Sequence, residues 1–367
     1  MREYLLVLLT AALTTYLTAG VCRRTALQVG AVAKVRDRDV HAVPIPYFGG
    51  VAMFLGLAVA FLLASQLPFL GRLDIVKHDA LAVLAASLVI CVVGVLDDLL
   101  DLSAVVKFAG QMLAAGIVVL QGVRMYWIPL PNSIIALDNA TSILVTVLFI
   151  VLCANAVNFV DGLDGLAAGV VAIGAGAFFS YTYLLAWEQE LARATTASLV
   201  TVVATGICLG FLPHNFFPAR MFMGDSGSLL LGLLLATSTI SLTGQIDPSQ
   251  LTADGGGLVP SYLPILLPLA TLALPLLDLV LAYIRRTIDG RWWFVADKQH
   301  LHHRLLELGH SQVRAVLLLY LWTGLLSFGV ILVGLRWGSW SLGSLLAGIL
   351  ALLVLTFGPR LRGKSTR

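Results

Sequence analysis

The chain has 367 residues, of which 59% are hydrophobic and only 12% charged, with a formal net charge of +3. A mean hydropathy of +0.94 lies far above what a water-soluble core of this length requires, which excludes a soluble enzyme and makes the bilayer the solvent. The small positive excess suits anionic lipid head groups and gives no reason to expect a nucleic-acid partner.

Eleven apolar stretches follow one another, at 3–20, 47–70, 79–97, 104–121, 142–160, 164–186, 192–212, 226–243, 261–284, 313–335 and 340–358. Each is about long enough to cross a hydrocarbon layer of about 30 Å as a helix. The expected fold is therefore all-α, a polytopic membrane protein with about eleven transmembrane helices. The longest polar connections, 21–46 and 285–312, are too short to fold alone, so residues 1–367 form one transmembrane domain. Thr18-Ala19-Gly20 leads into Val21-Cys22-Arg23-Arg24 without a small-residue cleavage site, so the first stretch is expected to be a retained span. Cys22, Cys91, Cys153 and Cys208 are scattered without a CxxC pair, and neither redox nor zinc chemistry follows from them.

Lys and Arg are retained on the cytoplasmic side of a membrane. With the N-terminus outside and the C-terminus inside, the inner segments hold 17 of the 23 basic residues, from Arg23 and Arg24 to Arg367. On that topology the unusual polar residues gather at cytoplasmic span ends, and because charge at membrane depth is costly such a cluster points to function.

Taken in chain order, Asp97 and Asp98 close the third stretch as adjacent like charges that a cation or a metal-bound phosphate would relieve; a solvated stop signal is the alternative. Lys107, inside the next stretch, is a cation whose natural partner is phosphate. Asn155, Asn158, Asp161 and Asp164 recur every three residues, which on a helix sets them along one drifting face. Oxygen groups of this kind suit Mg²⁺ or Mn²⁺, while Gly162 and Gly165 allow a turn; a capped polar helix end is the plainer reading.

The run His214 to Ser228, which includes Asn215, sets Asp225 in a Gly-rich turn directly before a span, a phosphate and metal corner. Gly224-Asp225-Ser226-Gly227-Ser228 imitates a serine-protease segment, but the span that follows excludes that fold. Phe222 could stack on a base or anchor at the interface. His300, His302 and His303 match no common zinc spacing and suit contacts to a diphosphate, and Asp278 after Pro275 marks a kink or a helper carboxylate.

Pro44-Ile-Pro-Tyr-Phe-Gly-Gly50, Asp97-Asp98 with Lys107, Asn155 to Asp164, Asn215 to Asp225 and His300-Leu-His-His303 together resemble the polyprenyl-phosphate N-acetylhexosamine-1-phosphate transferases. The likeness covers nearly the whole chain. Pro46-Tyr-Phe-Gly-Gly50 and the interrupting Leu301 look like the WecA/TagO branch, which uses UDP-GlcNAc, more than MraY, which uses UDP-MurNAc-pentapeptide. The resemblance implies a multi-pass plasma-membrane enzyme with its active site on the cytoplasmic face, loading GlcNAc 1-phosphate onto undecaprenyl or decaprenyl phosphate. It implies Mg²⁺, with Mn²⁺ as a substitute, held by Asp225 with Asn158 or Asp161 close by. Phe222 would then stack on uracil, Asn215 and Asp164 would contact the nucleoside, Asn155 would serve substrate binding, and Lys107 would meet the diphosphate. Arg286, His300, His302 and His303 would contact the sugar phosphate or the GlcNAc side. Asp97 and Asp98 would meet the lipid phosphate, and with Asp161 they are the candidate catalytic carboxylates. Carrier length and pairing into a homodimer stay open.

The implied reaction is attack of a lipid phosphate oxygen on the sugar-bearing phosphorus with departure of UMP, dominated by positioning and charge neutralisation. A covalent phospho-aspartate route is the alternative, but a phosphate monoester with its second pKa near about 6 is already largely ionised and needs little help. The competing class is a transporter or lipid flippase. The one-sided polar groups and the lack of a repeat argue against it.

Overall fold

The computed structural model describes residues 1–33, 44–130, 133–188, 192–243, 259–273, 301–334 and 339–363, with isolated positions between 276 and 288. The chain runs α1 (Arg2–Val29), α2 (Gly49–Gln66), α3 (Asp74–Leu100), α4 (Ala104–Leu120), α5 (Asn139–Val160), α6 (Leu166–Glu188), α7 (Ala192–Asn215) and α8 (Gly224–Thr243). It continues with α9 (Val259–Thr271), the short α10 (Leu301–Glu307), α11 (Gln312–Gly334) and α12 (Ser339–Gly363). A two-stranded antiparallel hairpin, β1 (Trp127–Leu130) with β2 (Ser133–Ala136), joins α4 to α5.

Every predicted apolar stretch carries a helix. Among the described residues eight helices are long and apolar enough to span a membrane, and α4 and Leu342–Phe357 within α12 are shorter apolar ones. The boundaries depart from expectation for local reasons. α1 continues through Arg23 and Arg24 until Gly30 stops it in the left-handed conformation (φ 79), with its N–H on the Ala26 carbonyl. α2 ends at Gln66 because Leu67, preceding Pro68, is extended (ψ 147).

α1 and α2 run in opposite directions. Glu3 at the start of α1 accepts hydrogen bonds from Phe69 N and Leu70 N after α2, at 2.8 and 2.9 Å. At the other end, Gly49 N and Gly50 N, opening α2, donate to the carbonyls of Phe222 and Met223 just before α8. Met1 therefore lies opposite the α8 N-terminus. The C-terminal part of α12 lies near the start of α11, where His310 Nε2 is 2.9 Å from the Thr356 carbonyl oxygen.

Leu5, Leu9, Leu13 and Leu17 of α1 face outward while Val7, Ala11 and Ala19 are buried, an apolar surface on both faces that only lipid tolerates. α8 is buried along its whole length and forms the hub. Its first turn is approached so closely that a Cβ on Gly94 of α3 would fall on the backbone of Asp225 and Ser226, and one on Gly50 of α2 on that of Ser226 and Gly227. With no hydrophobic drive between helices in lipid, such small-residue contacts are how transmembrane helices gain packing.

Candidate functional site

The N-terminus of α8 leaves N–H groups that need acceptors and a positive end that attracts anions. Asp98 supplies the acceptor from α3: its Oδ1 takes the Asp225 N–H at 2.9 Å and its Oδ2 the Ser226 hydroxyl at 3.3 Å. Gly224 makes this approach feasible, being left-handed (φ 68) with the Asp98 carboxylate lying where its Cβ would be.

Asp97, one residue earlier on the same helix, turns toward α4. Its Oδ1 accepts from Leu102 N at 3.0 Å, and its Oδ2 meets Lys107 Nζ at 3.2 Å. Asp101 then ends α3 in the left-handed conformation (φ 53). The adjacent carboxylates are thus separated by helix geometry, one neutralised by lysine and the other by a helix terminus. Lys107 also forms an ion pair with Asp225 Oδ2, so one ammonium bridges Asp97 and Asp225. From α5, Asn158 Nδ2 donates to Asp225 Oδ1 and to Ser228 Oγ, both at 2.8 Å.

The four-residue ladder on α5 divides. α5 ends at Val160, and only Asn155 and Asn158 lie on it. Asn155 donates to Gln111 Oε1 of α4 at 2.7 Å and to the Val151 carbonyl at 2.8 Å, and it accepts from Gln111 Nε2 at 3.4 Å. Asp161 stands just past the helix, and among the described residues no hydrogen bond engages its carboxylate. Burial, with the charges of Asp98 and Asp164 adding to it, pushes the Asp161 carboxyl up to about 7. Asp164 faces the next loop and accepts from Ala219 N at 2.9 Å.

Asn215, at the end of α7, is only 2% exposed. Its Oδ1 accepts from Gly165 N and its Nδ2 donates to the Met221 carbonyl, each at 3.0 Å. Asp164 and Asn215 therefore brace the 161–165 turn against the 216–223 loop. Tyr320 of α11 closes the brace by donating its hydroxyl to the Gly165 carbonyl. Phe222 is half-buried on that loop, its N–H on the Pro46 carbonyl at 2.9 Å and its ring tilted against Tyr47 at 6.3 Å.

Of the predicted residues, the fold brings Asp97, Asp98, Lys107, Asn158 and Asp225 into one bonded cluster, with Asn155, Asp161, Asp164, Asn215 and Phe222 around it. Arg286, His300 and Asp278 lie outside the described residues. His302 and His303 lie on α10, with side chains outside the description. Gln111 and Tyr320, which no sequence motif marked, join the site, as do Gly224, Ser226 and Ser228 of the Gly-rich run. Among the described residues no group of three or more His, Cys, Asp or Glu forms a self-sufficient metal cage. The set does fit a hard cation that takes few protein oxygens and completes its shell with water and phosphate.

A polytopic helical membrane protein with acids, carboxamides and a lysine gathered at one end of its bundle is the class that fold and site define. The chain matches the model for glycosyl transferase family 4 over residues 80–243. It is 47% identical over 333 residues to decaprenyl-phosphate N-acetylglucosaminephosphotransferase of Mycobacterium tuberculosis, covering 90% of this chain and 82% of the relative. It is 36% identical over 310 residues to a probable undecaprenyl-phosphate N-acetylglucosaminyl 1-phosphate transferase of Bacillus subtilis (84% and 79% covered). A phospho-N-acetylmuramoyl-pentapeptide-transferase of Desulforudis audaxviator is 32% identical over 300 residues (76% and 81%). The chain belongs to glycosyl transferase family 4, the family of the polyprenyl-phosphate N-acetylhexosamine-1-phosphate transferases.

Proposed function

We propose that the protein transfers GlcNAc 1-phosphate from UDP-GlcNAc to a polyprenyl phosphate, releasing UMP, at the cytoplasmic face of the plasma membrane. The observation that carries this reading is the Asp97–Lys107–Asp225–Asn158 cluster against the α8 N-terminus, in a chain nearly half identical to a relative named for such a transfer. Phosphoryl transfer asks the protein chiefly for positioning and charge neutralisation, and these residues supply both. The excess of basic residues in the segments expected inside supports the cytoplasmic side.

Lys107 is held between two carboxylates. An incoming diphosphate would offer it a third anionic partner, so Lys107 would orient the group under attack. Asp225, with Asn158 fixing one of its oxygens, would hold Mg²⁺, with Asp161, which feels the charge of Asp98, as a further candidate oxygen, and Mn²⁺ is a fitting substitute. A cation held there would supply charge neutralisation for the diphosphate and the UMP leaving group. Phe222, on the loop braced by Asn215 and Asp164, would stack on the base.

The lipid phosphate oxygen then attacks the sugar-bearing phosphorus, and the bond to the UMP oxygen breaks. The nucleophile is already largely ionised at neutral pH, which favours direct attack. UDP-GlcNAc labelled at the phosphorus next to the sugar tests the reading. The label is expected in the lipid fraction; its retention in water-soluble UDP-GlcNAc or free phosphate would refute the transfer.

A further inference from the structure

Gln111 belongs to none of the groups that would touch substrate, yet it is a carboxamide only 2% exposed in a helix whose one other charged or carboxamide side chain is Lys107. It lies one turn beyond Lys107 on α4, and its partner Asn155 lies one turn before Asn158 on α5. The two carboxamides bond reciprocally, Asn155 donating at 2.7 Å and Gln111 donating back at 3.4 Å. α4 is peripheral: it packs against α3 and α5, and Val105, Phe108, Leu113 and Leu120 face outward. The short 101–103 connection and the Lys107–Asp97 contact tie α4 to α3, but greasy surfaces alone give it little register against α5, whereas a reciprocal amide pair in lipid has a single satisfied register.

We infer that Gln111 is a positioning residue and that the Gln111–Asn155 pair sets the register of α4 on α5, so that Lys107 and Asn158 converge on Asp225 from opposite sides. This rests on the proposed transfer and gives Asn155 a part different from substrate contact. Asn155 spends its amide on Gln111 and Val151, and Asn158 alone of the α5 carboxamides reaches Asp225.

The test compares wild type, Gln111→Leu, Asn155→Leu and the double variant as full-length proteins in nanodiscs, by UMP release and by thermal unfolding. Asn155→Leu strands the buried Gln111 amide, and Gln111→Leu leaves the half-buried Asn155 with only its bond to the Val151 carbonyl, so each single variant is expected to lose both stability and turnover. The double variant removes both amides and is expected to regain most of the stability while kcat stays about tenfold low, with KM for UDP-GlcNAc within about twofold. Recovery of kcat together with stability would reduce the pair to packing and overturn the inference. A raised KM for UDP-GlcNAc in Asn155→Leu, without the same rise in Gln111→Leu, would overturn it by making Asn155 a donor ligand. If wild type releases no UMP, the transfer reading fails and the positioning role falls with it, while the unfolding data still report whether the two amides are coupled. Coupled stability with active wild type but additive kcat losses would refute positioning alone.

Discussion

Gly224→Ala is the sharpest single perturbation of the cluster. The residue sits at φ 68, which costs an L-residue about 1–2 kcal/mol. The new methyl would lie 2.8 Å from both Cγ and Oδ1 of Asp98, so the carboxylate must withdraw from the α8 N-terminus. That weakens its bonds from Asp225 N at 2.9 Å and Ser226 Oγ at 3.3 Å, charge-assisted contacts of about 1.5–3 kcal/mol each. Loss of one bond plus the backbone strain gives a destabilisation of about 2.5–5 kcal/mol. Because Asp225 is displaced too, kcat should fall about 100-fold. Gly116→Ala on α4 is the control: its Cβ would meet nothing within 4 Å, so rate should hold and stability should gain at most about 1 kcal/mol. UMP release and thermal unfolding in detergent read both quantities. Wild-type turnover in Gly224→Ala would refute the placement of Asp98 against α8.

Lys107→Met should lower kcat/KM by about 100- to 1,000-fold in steady-state UMP assays, since a charge aimed at the diphosphate is lost while Asp97 and Asp225 are left to repel. Asn215→Leu should cost about 2–5 kcal/mol in an unfolding assay by stranding Gly165 N and the Met221 carbonyl. Its effect on donor affinity, through the Phe222 loop, should appear as a raised KM for UDP-GlcNAc. Chelation should abolish turnover, and added Mg²⁺ or Mn²⁺ should restore it in a titration. Wild-type activity in excess chelator would remove the cation from the account.

The spans were legible because bilayer thickness imposes one length scale on every crossing helix, and each of the apolar stretches from 3–20 to 340–358 carries a helix. Their ends were not, because they depend on single residues such as Gly30 and Pro68 that hydropathy averages away. The site was legible as polar residues in an apolar chain, and Asp97, Asp98, Lys107, Asn158 and Asp225 do converge. What spacing could not convey is which way each side chain turns. Asp97 and Asp98 look alike in sequence, yet one meets α4 and the other caps α8. The three-residue ladder suggested one helical face, but α5 stops at Val160 and sends Asp161 and Asp164 into a turn that Gly165 (φ 76) permits. Gln111, one turn after Lys107 on a mostly apolar helix, carried the same buried-polar signal as the others. Its importance follows only from the partner it meets.

The central claim is tested most directly by purified protein given Mg²⁺, polyprenyl phosphate and either UDP-GlcNAc or UDP-MurNAc-pentapeptide, with Asp225→Ala beside wild type. UMP released from UDP-GlcNAc alone, and lost in Asp225→Ala, is the predicted result; UMP from neither donor, or from UDP-MurNAc-pentapeptide alone, would contradict it.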